Sequence, residues 1–474
     1  MNRNVAIVGG GLAGIASAIR LADAGYRPLI LETRRKLGGR ATSFVDPRSG
    51  ETLDNCQHVV MGCCTALLDL YQRLGVLDRI VWSKSTYWAV PDRRPDRITP
   101  GWCPCPGHFT GSFLRMRLLS VGEKVAVGRA MWRLIRLGAA GRVTWRDRPF
   151  LDFLAECRQP AGAVEKFWEP IVVSACNMPC ARVGAAYAMH VFQDGFLGNR
   201  FASALGLAAV PLVELYDPAE ALLAAAGGGV RLGVSAKALA FDGTLVSGVV
   251  TDEGFVVGSS IISTVPPDRL DKLISSPLRA ADARLKRLGE FTYSPILGVH
   301  LRFECEVLDV PHLILPGRGT QWLFNKGTDD AGRQHVHAVI SAADQWMDLD
   351  EGEIVKRVTA DIHAVLPKSR GLHPVESRSV KEKRATFAAL PSLDAIRPRA
   401  ASGTIGGHPG GGRVGGGGVR NLFLAGDWCD TGWPATMEGA VRSGYAAAEA
   451  IAKSPMSVPD LPTAGLAQFL GLSR

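Results

Sequence analysis

Val5 to Gly14 reads Val-Ala-Ile-Val-Gly-Gly-Gly-Leu-Ala-Gly, an apolar run that passes straight into a glycine cluster and then into helix-forming sequence. Few local patterns restrict a fold as tightly. Val5 to Val8 has the length and β-branched content of a buried strand, and Leu12 to Ala24 repeats apolar residues at Leu12, Ile15, Ile19 and Ala22, the spacing of one helix face. A second apolar run, Pro28 to Leu31, ends in Glu32. Strand, helix and strand in this order predict a parallel βαβ unit. In its turn, Gly9 lets the chain reverse, Gly11 admits a pyrophosphate to the backbone of Leu12 and Ala13, and Gly14 lets helix and strand pack closely. The helix start offers unpaired N–H groups and partial positive charge to phosphate. Glu32, eighteen residues after Gly14, is placed to accept hydrogen bonds from the adenosine ribose hydroxyls.

The same N-terminal run imitates a secretion signal, with Arg3 ahead of it and small residues at Ala16 to Ala18. The glycine triplet and the helical pattern continuing through Arg20 and Asp23 favour a retained element instead. A chain of 474 residues exceeds one core of ordinary size, so two domains, interleaved in sequence, are expected. No uninterrupted apolar run reaches the ~18 to 20 residues of a membrane-spanning helix. Ten cysteines follow no disulfide framework, which suits a reducing cytoplasm. Cys103 and Cys105, and Cys176 and Cys180, lack the spacing and neighbouring histidine pair of a zinc site, so no metal is expected.

Net charge is +9, and it is local: Phe113 to Arg148 holds nine Arg/Lys against Glu123 and Asp147. Within that segment Val127, Met131, Leu134 and Ile135 share one helical face, and Arg129, Arg133 and Arg136 another, with Trp132 at the boundary. A basic amphipathic helix of this kind suits an anionic membrane surface. No nucleic-acid-binding motif accompanies the charge, so nucleic acid is not an expected partner.

Gly38-Gly39-Arg40 adds a second close backbone approach and a guanidinium near the pyrophosphate. At the far end, Asn421 to Ala425 reads as a strand, followed by Gly426-Asp427 and a helix from about Met437. Together these segments resemble the FAD-binding signature of the superfamily that contains amine oxidases and phytoene desaturases. The resemblance implies FAD as cofactor, Asp427 at its ribityl and pyrophosphate region, and the backbone at Thr436 and Met437 beneath its pyrimidine, where a positive helix end favours the anionic reduced flavin. Gly39, Arg40, Gly426 and Trp433 belong to the same implied site. A middle segment, Gly228 to Leu270, is implied to thread back through the cofactor domain, with Ala236 at the adenine.

The implied fold is α/β: a Rossmann-like, glutathione-reductase-like FAD-binding domain (1–79, 214–277 and 400–474) interleaved with a mixed α+β substrate domain (80–213 and 278–399) that carries the basic segment 113–148. The low-complexity run Ser402 to Val419 suits a flexible surface loop.

Leu53 to Ile80, with its Asp54-Asn55-Cys56-Gln57-His58 start, is similar to hydroxysqualene dehydroxylases, also called squalene-associated FAD-dependent desaturases. That likeness implies reductive removal of a hydroxyl to give squalene for hopanoid synthesis, and it groups Gln57 with the cofactor contacts. It implies a long-chain isoprenoid substrate, a separate electron donor, and an enzyme peripheral on the cytoplasmic face of the cell membrane. Cys56 departs from the glycine found at this position in many relatives. The alternative within the fold is a carotenoid or phytoene-type desaturase. An amine oxidase fits less well, because the strand Pro295 to Phe303 lacks the lysine such enzymes commonly place near the flavin.

Hydroxide is a poor leaving group, so the chemistry needs an acid as well as a reduced flavin. His58 is the expected acid or relay and Asp54 its orienting partner. Glu438 is expected to serve as a helix-dipole partner. Trp433, Trp102, Phe192 and Phe196 are candidates to line a lipid tunnel.

Overall fold

The computed structural model describes residues 3–401 and 418–472; the run Ser402 to Gly417 lies outside them. Strand Asn4–Val8 is central to a parallel sheet. It pairs with Arg27–Glu32 on one side (Val8 opposite Leu31) and with Ser260–Ser263 on the other (Val8 opposite Ser263). Gly229–Leu232 and Leu422–Leu424 complete the two edges, so five strands from three distant stretches of chain make one sheet. Parallel strands covered on both faces need continuous apolar sequence, and Val5, Ala6, Ile7 and Val8 are all buried.

Helix Leu12–Asp23 crosses from the first strand to the second and packs against the last long helix, Met437–Ala452. Gly444 permits this close crossing: a Cβ there would lie 2.4 Å from the Ala13 carbonyl oxygen. Both helices start at the same end of the sheet, beyond the C-terminal ends of its strands, where α/β folds hold their ligands. Strands Ala236–Phe241, Val246–Thr251 and Gly254–Val257 form a separate antiparallel sheet, with Asp242 accepting the Thr244 and Leu245 N–H groups to close the first turn.

A second large sheet has seven strands in the order Glu376–Phe387, Tyr293–Phe303, Gln334–Ser341, Trp322–Thr328, His312–Ile314, Thr86–Trp88 and Asp96–Ile98. Side chains alternate between its faces. Val336, Ala338 and Ile340 join Leu297, Val299 and Leu301 in a core against Ile354, Val358 and Ile362 of helix Glu351–Val365. The opposite face carries Val339, Phe324 and Ile296 toward Cys56. A helical layer between residues 110 and 197 faces it, built around Phe150, Phe153, Trp168 and Phe192. The space between these layers opens onto the end of the parallel sheet.

Candidate active site

Two turns run side by side where the parallel strands end. Gly9 has a φ of 109°, and a Cβ on Gly14 would sit 2.0 Å from the Gly9 oxygen, so no side chain is compatible with this strand-to-helix approach. In the neighbouring turn the Gly38 N–H donates to the Gly10 carbonyl at 2.9 Å. A Cβ built on Gly11 would meet nothing nearer than Gly39 Cα at 3.8 Å. Two bare glycines facing each other at a helix start leave backbone N–H groups open to a phosphate. Glu32 is held by the Gly10 N–H at 2.7 Å on one carboxylate oxygen and by the Arg34 N–H at 2.8 Å on the other. Each oxygen retains lone pairs for a ligand hydroxyl.

The far end of the chain arrives at the same place. Asp427 accepts a hydrogen bond from Arg40 at 2.6 Å, and Arg40 also donates to the Ala385 carbonyl at 2.8 Å. The path from Asp427 to the last helix is held by Arg397, only 2% exposed, which donates to the Asp427 carbonyl at 3.0 Å and the Trp433 carbonyl at 2.8 Å. Its guanidinium lies 5.0 Å from the Phe387 ring centre. Sequence reasoning missed Arg397, which belongs to no motif. Thr436 caps the last helix by accepting the Gly439 N–H at 3.1 Å. Glu438 proves to be a helix-dipole partner for a neighbour as well as for its own helix. Fully buried, it accepts the Ala66 and Leu67 N–H groups at 3.0 and 2.8 Å and the Arg442 Nε–H at 2.6 Å. Those amides are unpaired donors at the start of helix Thr65–Arg73.

Gly9, Gly11, Leu12, Ala13, Glu32, Gly39, Arg40, Gln57, Ala236, Gly426, Asp427, Trp433, Thr436 and Met437 all line one continuous cavity of about 1460 Å³. Gly14 lies behind its wall. The glycine cradle, the anchored Glu32 and the two helix starts fit an extended dinucleotide.

His58 is on the wall and Asp54 is not. The expected pairing between them is absent. Asp54 is buried and accepts from the Ser43 hydroxyl at 2.8 Å and the Leu212 N–H at 3.0 Å, with Lys326 at 3.6 Å; its backbone carbonyl accepts from His300 Nε2 at 2.9 Å. Asp54 therefore ties the loop to its surroundings. His58 instead places Nδ1 3.0 Å from the Cys56 carbonyl. A carbonyl only accepts, so Nδ1 carries the proton and Nε2 presents a lone pair. Burial lowers the His58 pKa, with the Cys56 bond and Asp54 opposing and Arg40 reinforcing. A neutral ring in this tautomer offers its lone pair at Nε2. Burial also pushes the Cys56 thiol up to about 12, so its sulfur stays protonated. Lys326, also missed from sequence, donates to the Gln57 side-chain oxygen at 3.2 Å.

Beyond the dinucleotide turns the cavity is lined mainly by apolar side chains, among them Phe113, Phe167, Ile171, Phe192 and Phe196. Trp102, expected there, is 91% exposed and off the wall. A buried polar cluster of Arg142, His190, Gln193 and Asp194 interrupts this lining beside Trp433. It too escaped sequence reasoning.

The basic segment lies at this end of the cavity. Helix Val121–Leu137 starts with a reciprocal Ser120–Glu123 cap and places Val127, Gly128, Met131, Trp132 and Ile135 on the wall. Its charge is smaller than the local count implies. Arg117 pairs with Asp96, Arg133 with Glu156, Arg142 with Asp194, and Arg148 with Asp152 and Glu156. Arg115, Lys124, Arg129, Arg136 and Arg146 have no ion pair among the described residues.

A sequence model of the flavin containing amine oxidoreductases matches residues 12–452. The chain belongs to this family. This flavin-containing amine oxidoreductase is similar to the hydroxysqualene dehydroxylase of Rhodopseudomonas palustris, 27% identical over 467 residues that cover 95% of this chain and 99% of the relative. It is also similar to the 15-cis-phytoene desaturase of Arabidopsis thaliana, 24% identical over 94% of this chain and 79% of the relative. A solved structure of putrescine oxidase bound to putrescine superposes with a TM-score of 0.70 at 18% identity, covering 95% of this chain and 99% of that one, which shows the shared fold. The protein is an FAD-dependent oxidoreductase. No helix among the described residues is long and apolar enough to cross a membrane.

Proposed function

We propose that this oxidoreductase removes the allylic hydroxyl of hydroxysqualene reductively, forming squalene, water and oxidised FAD. The observation that carries this reading is the cavity itself, which runs without a break from the paired glycine turns into an apolar chamber. The names of the similar relatives, hydroxysqualene dehydroxylase and phytoene desaturase, point to long isoprenoids. Reduced flavin, when bound, supplies the electron pair that replaces the broken C–O bond. The chain's own contribution is to enclose the hydrocarbon, exclude water from the reacting carbon, and hydrogen-bond the departing oxygen.

The chamber's rim supports uptake from an anionic lipid surface. Val121, Val125 and Trp132 are exposed on helix Val121–Leu137, Leu466 and Phe469 are exposed on the nearby helix Gly465–Phe469, and Trp132 and Leu466 also line the cavity. Arg136 donates to the Leu470 carbonyl at 3.3 Å, joining the two elements. Exposed apolar groups beside unpaired cations are what an interfacial helix needs.

The test is anaerobic incubation of FAD-loaded, chemically reduced protein with hydroxysqualene, followed by product analysis. Stoichiometric squalene is expected. Absence of squalene, together with dehydrogenation of phytoene by the oxidised protein, would replace this reading with a desaturase.

A further inference from the structure

Five acidic side chains belong to residues on the cavity wall: Glu32, Asp194, Glu382, Asp427 and Glu438. Four of them are committed. Glu32 is held by two backbone amides, Asp194 pairs with Arg142, Asp427 pairs with Arg40, and Glu438 accepts two amides and Arg442. Glu382 is the exception. It is half-buried and has no ion pair among the described residues. One of its oxygens takes a long contact from the Arg384 N–H at 3.4 Å; the other has no partner among the described residues and is not enclosed.

Sheet register fixes where this carboxylate stands. In strand Glu376–Phe387, Glu382 lies opposite Ile296, and directly opposed residues share a face. Ile296 packs with Val339 and Phe324 against Cys56. Lys381 turns to the other face, where it donates to the Met347 carbonyl at 2.9 Å. From Ser294 to Ile296 one strand advances two residues, while its partner advances four, from Thr386 back to Glu382. Such bulges are frequent beside active sites. Within this one the Ala385 carbonyl accepts from Arg40 at 2.8 Å. The Glu382 charge acts on both Arg40 and Cys56, beside the larger effect of their burial. Glu382 therefore stands where the dinucleotide turns give way to the apolar chamber.

Reduction of a flavin adds negative charge, and a carboxylate near new negative charge binds a proton more readily. Arg40 would oppose that, but Asp427 offsets its charge at 2.6 Å. A hydroxyl leaving as water consumes one proton.

We infer that Glu382 is the proton carrier of the reaction: it takes up a proton as the bound flavin is reduced and delivers it to the departing hydroxyl oxygen. The C–O bond breaks, and the hydroxyl and the Glu382 proton leave as water. The new C–H bond takes its hydrogen and electron pair from the reduced flavin, and Glu382 is left ionised beside the oxidised one. The identity of the alcohol rests on the function proposed above.

The experiment measures the midpoint potential of bound FAD against pH in wild type, Glu382→Gln and Glu382→Asp, each with its FAD content checked. Near neutral pH, reduction of wild type should consume two protons, one on the flavin and one on Glu382, and reduction of Glu382→Gln only one. The equilibrium should then shift about a hundredfold per pH unit in wild type and about tenfold in Glu382→Gln, or about 59 and 30 mV for a two-electron couple. Glu382→Asp keeps a carboxylate and should keep the steeper slope. The titratable and charged groups around Glu382 are Arg40 with Asp427, Cys56, and Arg384 with its partner Asp268 and the Tyr293 hydroxyl; all are retained in both variants. Equal slopes in wild type and Glu382→Gln, whatever their value, overturn the inference. In a second arm the reduced proteins meet hydroxysqualene anaerobically. Glu382→Gln should form squalene about a hundredfold more slowly than wild type, and an undiminished rate also overturns the inference. If the slopes differ but reduced wild type forms no squalene, proton uptake at Glu382 is supported and the reaction assignment falls.

Discussion

The two ends of the cavity are built by different means. At the dinucleotide end the working groups are mostly backbone: bare glycines, helix starts, and an acid fixed by amides. At the chamber end they are side chains brought together from distant segments, such as Arg142 against His190 and Asp194. Backbone sites tolerate almost no change at their glycines and much elsewhere; side-chain sites can lose one member and keep the fold. The same cavity should therefore respond to mutation in two distinct ways.

The harshest challenge to this contrast is Gly14→Val. With a Cβ placed 2.0 Å from the Gly9 oxygen, the variant should yield no soluble, FAD-containing protein, as judged by expression and the 450 nm flavin band. Soluble yellow protein would break the claim. Glu438→Ala comes next. It strands two buried amides and leaves Arg442 to Asp460 and Thr65 alone, and should cost about 2–4 kcal/mol in denaturant unfolding, because this side chain stitches the last helix to helix Thr65–Arg73. Glu32→Ala should weaken FAD binding by roughly 10- to 100-fold, the range for a hydrogen bond to a charged group, as read by equilibrium dialysis. A change below threefold would show that the acid only braces its loop.

Acidification sharpens the contrast at the chamber end and in the seven-stranded sheet. His190, His300 and His312 are buried neutral, with pKa values lowered to about 4 mainly by burial. The unfolded chain then binds more protons below about pH 6.5, so stability present above that value is lost as the pH falls toward 4. Each group is worth on the order of 1 kcal/mol per pH unit over that window. The thermal midpoint of His312→Phe should depend less on pH than that of wild type. The smallest effect is expected at the rim. Lys124→Gln should weaken co-sedimentation with anionic vesicles about fivefold, at about 1 kcal/mol per lost cation, and leave neutral vesicles unaffected.

The same difference explains which parts of the site are legible in the sequence. Gly9 to Glu32, Gly38 to Arg40 and Gly426 to Met437 each place their chemistry within a short window, so spacing alone locates it. Asp54 and His58 are also close in sequence, and that closeness misleads. The chain turns through Asn55 to Gln57 and sends the carboxylate to Ser43 and Leu212. Counting charge from Phe113 to Arg148 misleads for a related reason: Asp96, Asp152, Glu156 and Asp194 neutralise four of its cations from outside the window. Arg397 and the His190 cluster leave no local trace, because each is defined by partners dozens of residues away.

One consequence of the parallel sheet concerns the ribosome. Strand Asn4–Val8 is made about 400 residues ahead of Leu422–Leu424, which closes its sheet, and of the start of helix Met437–Ala452, which completes its cradle. At about 5–20 residues per second, the nascent glycine turn waits on the order of half a minute for its counterpart. During that interval the edge of Ser260–Ser263 that Leu422–Leu424 will cover remains open, a natural target for a chaperone and a hazard in its absence.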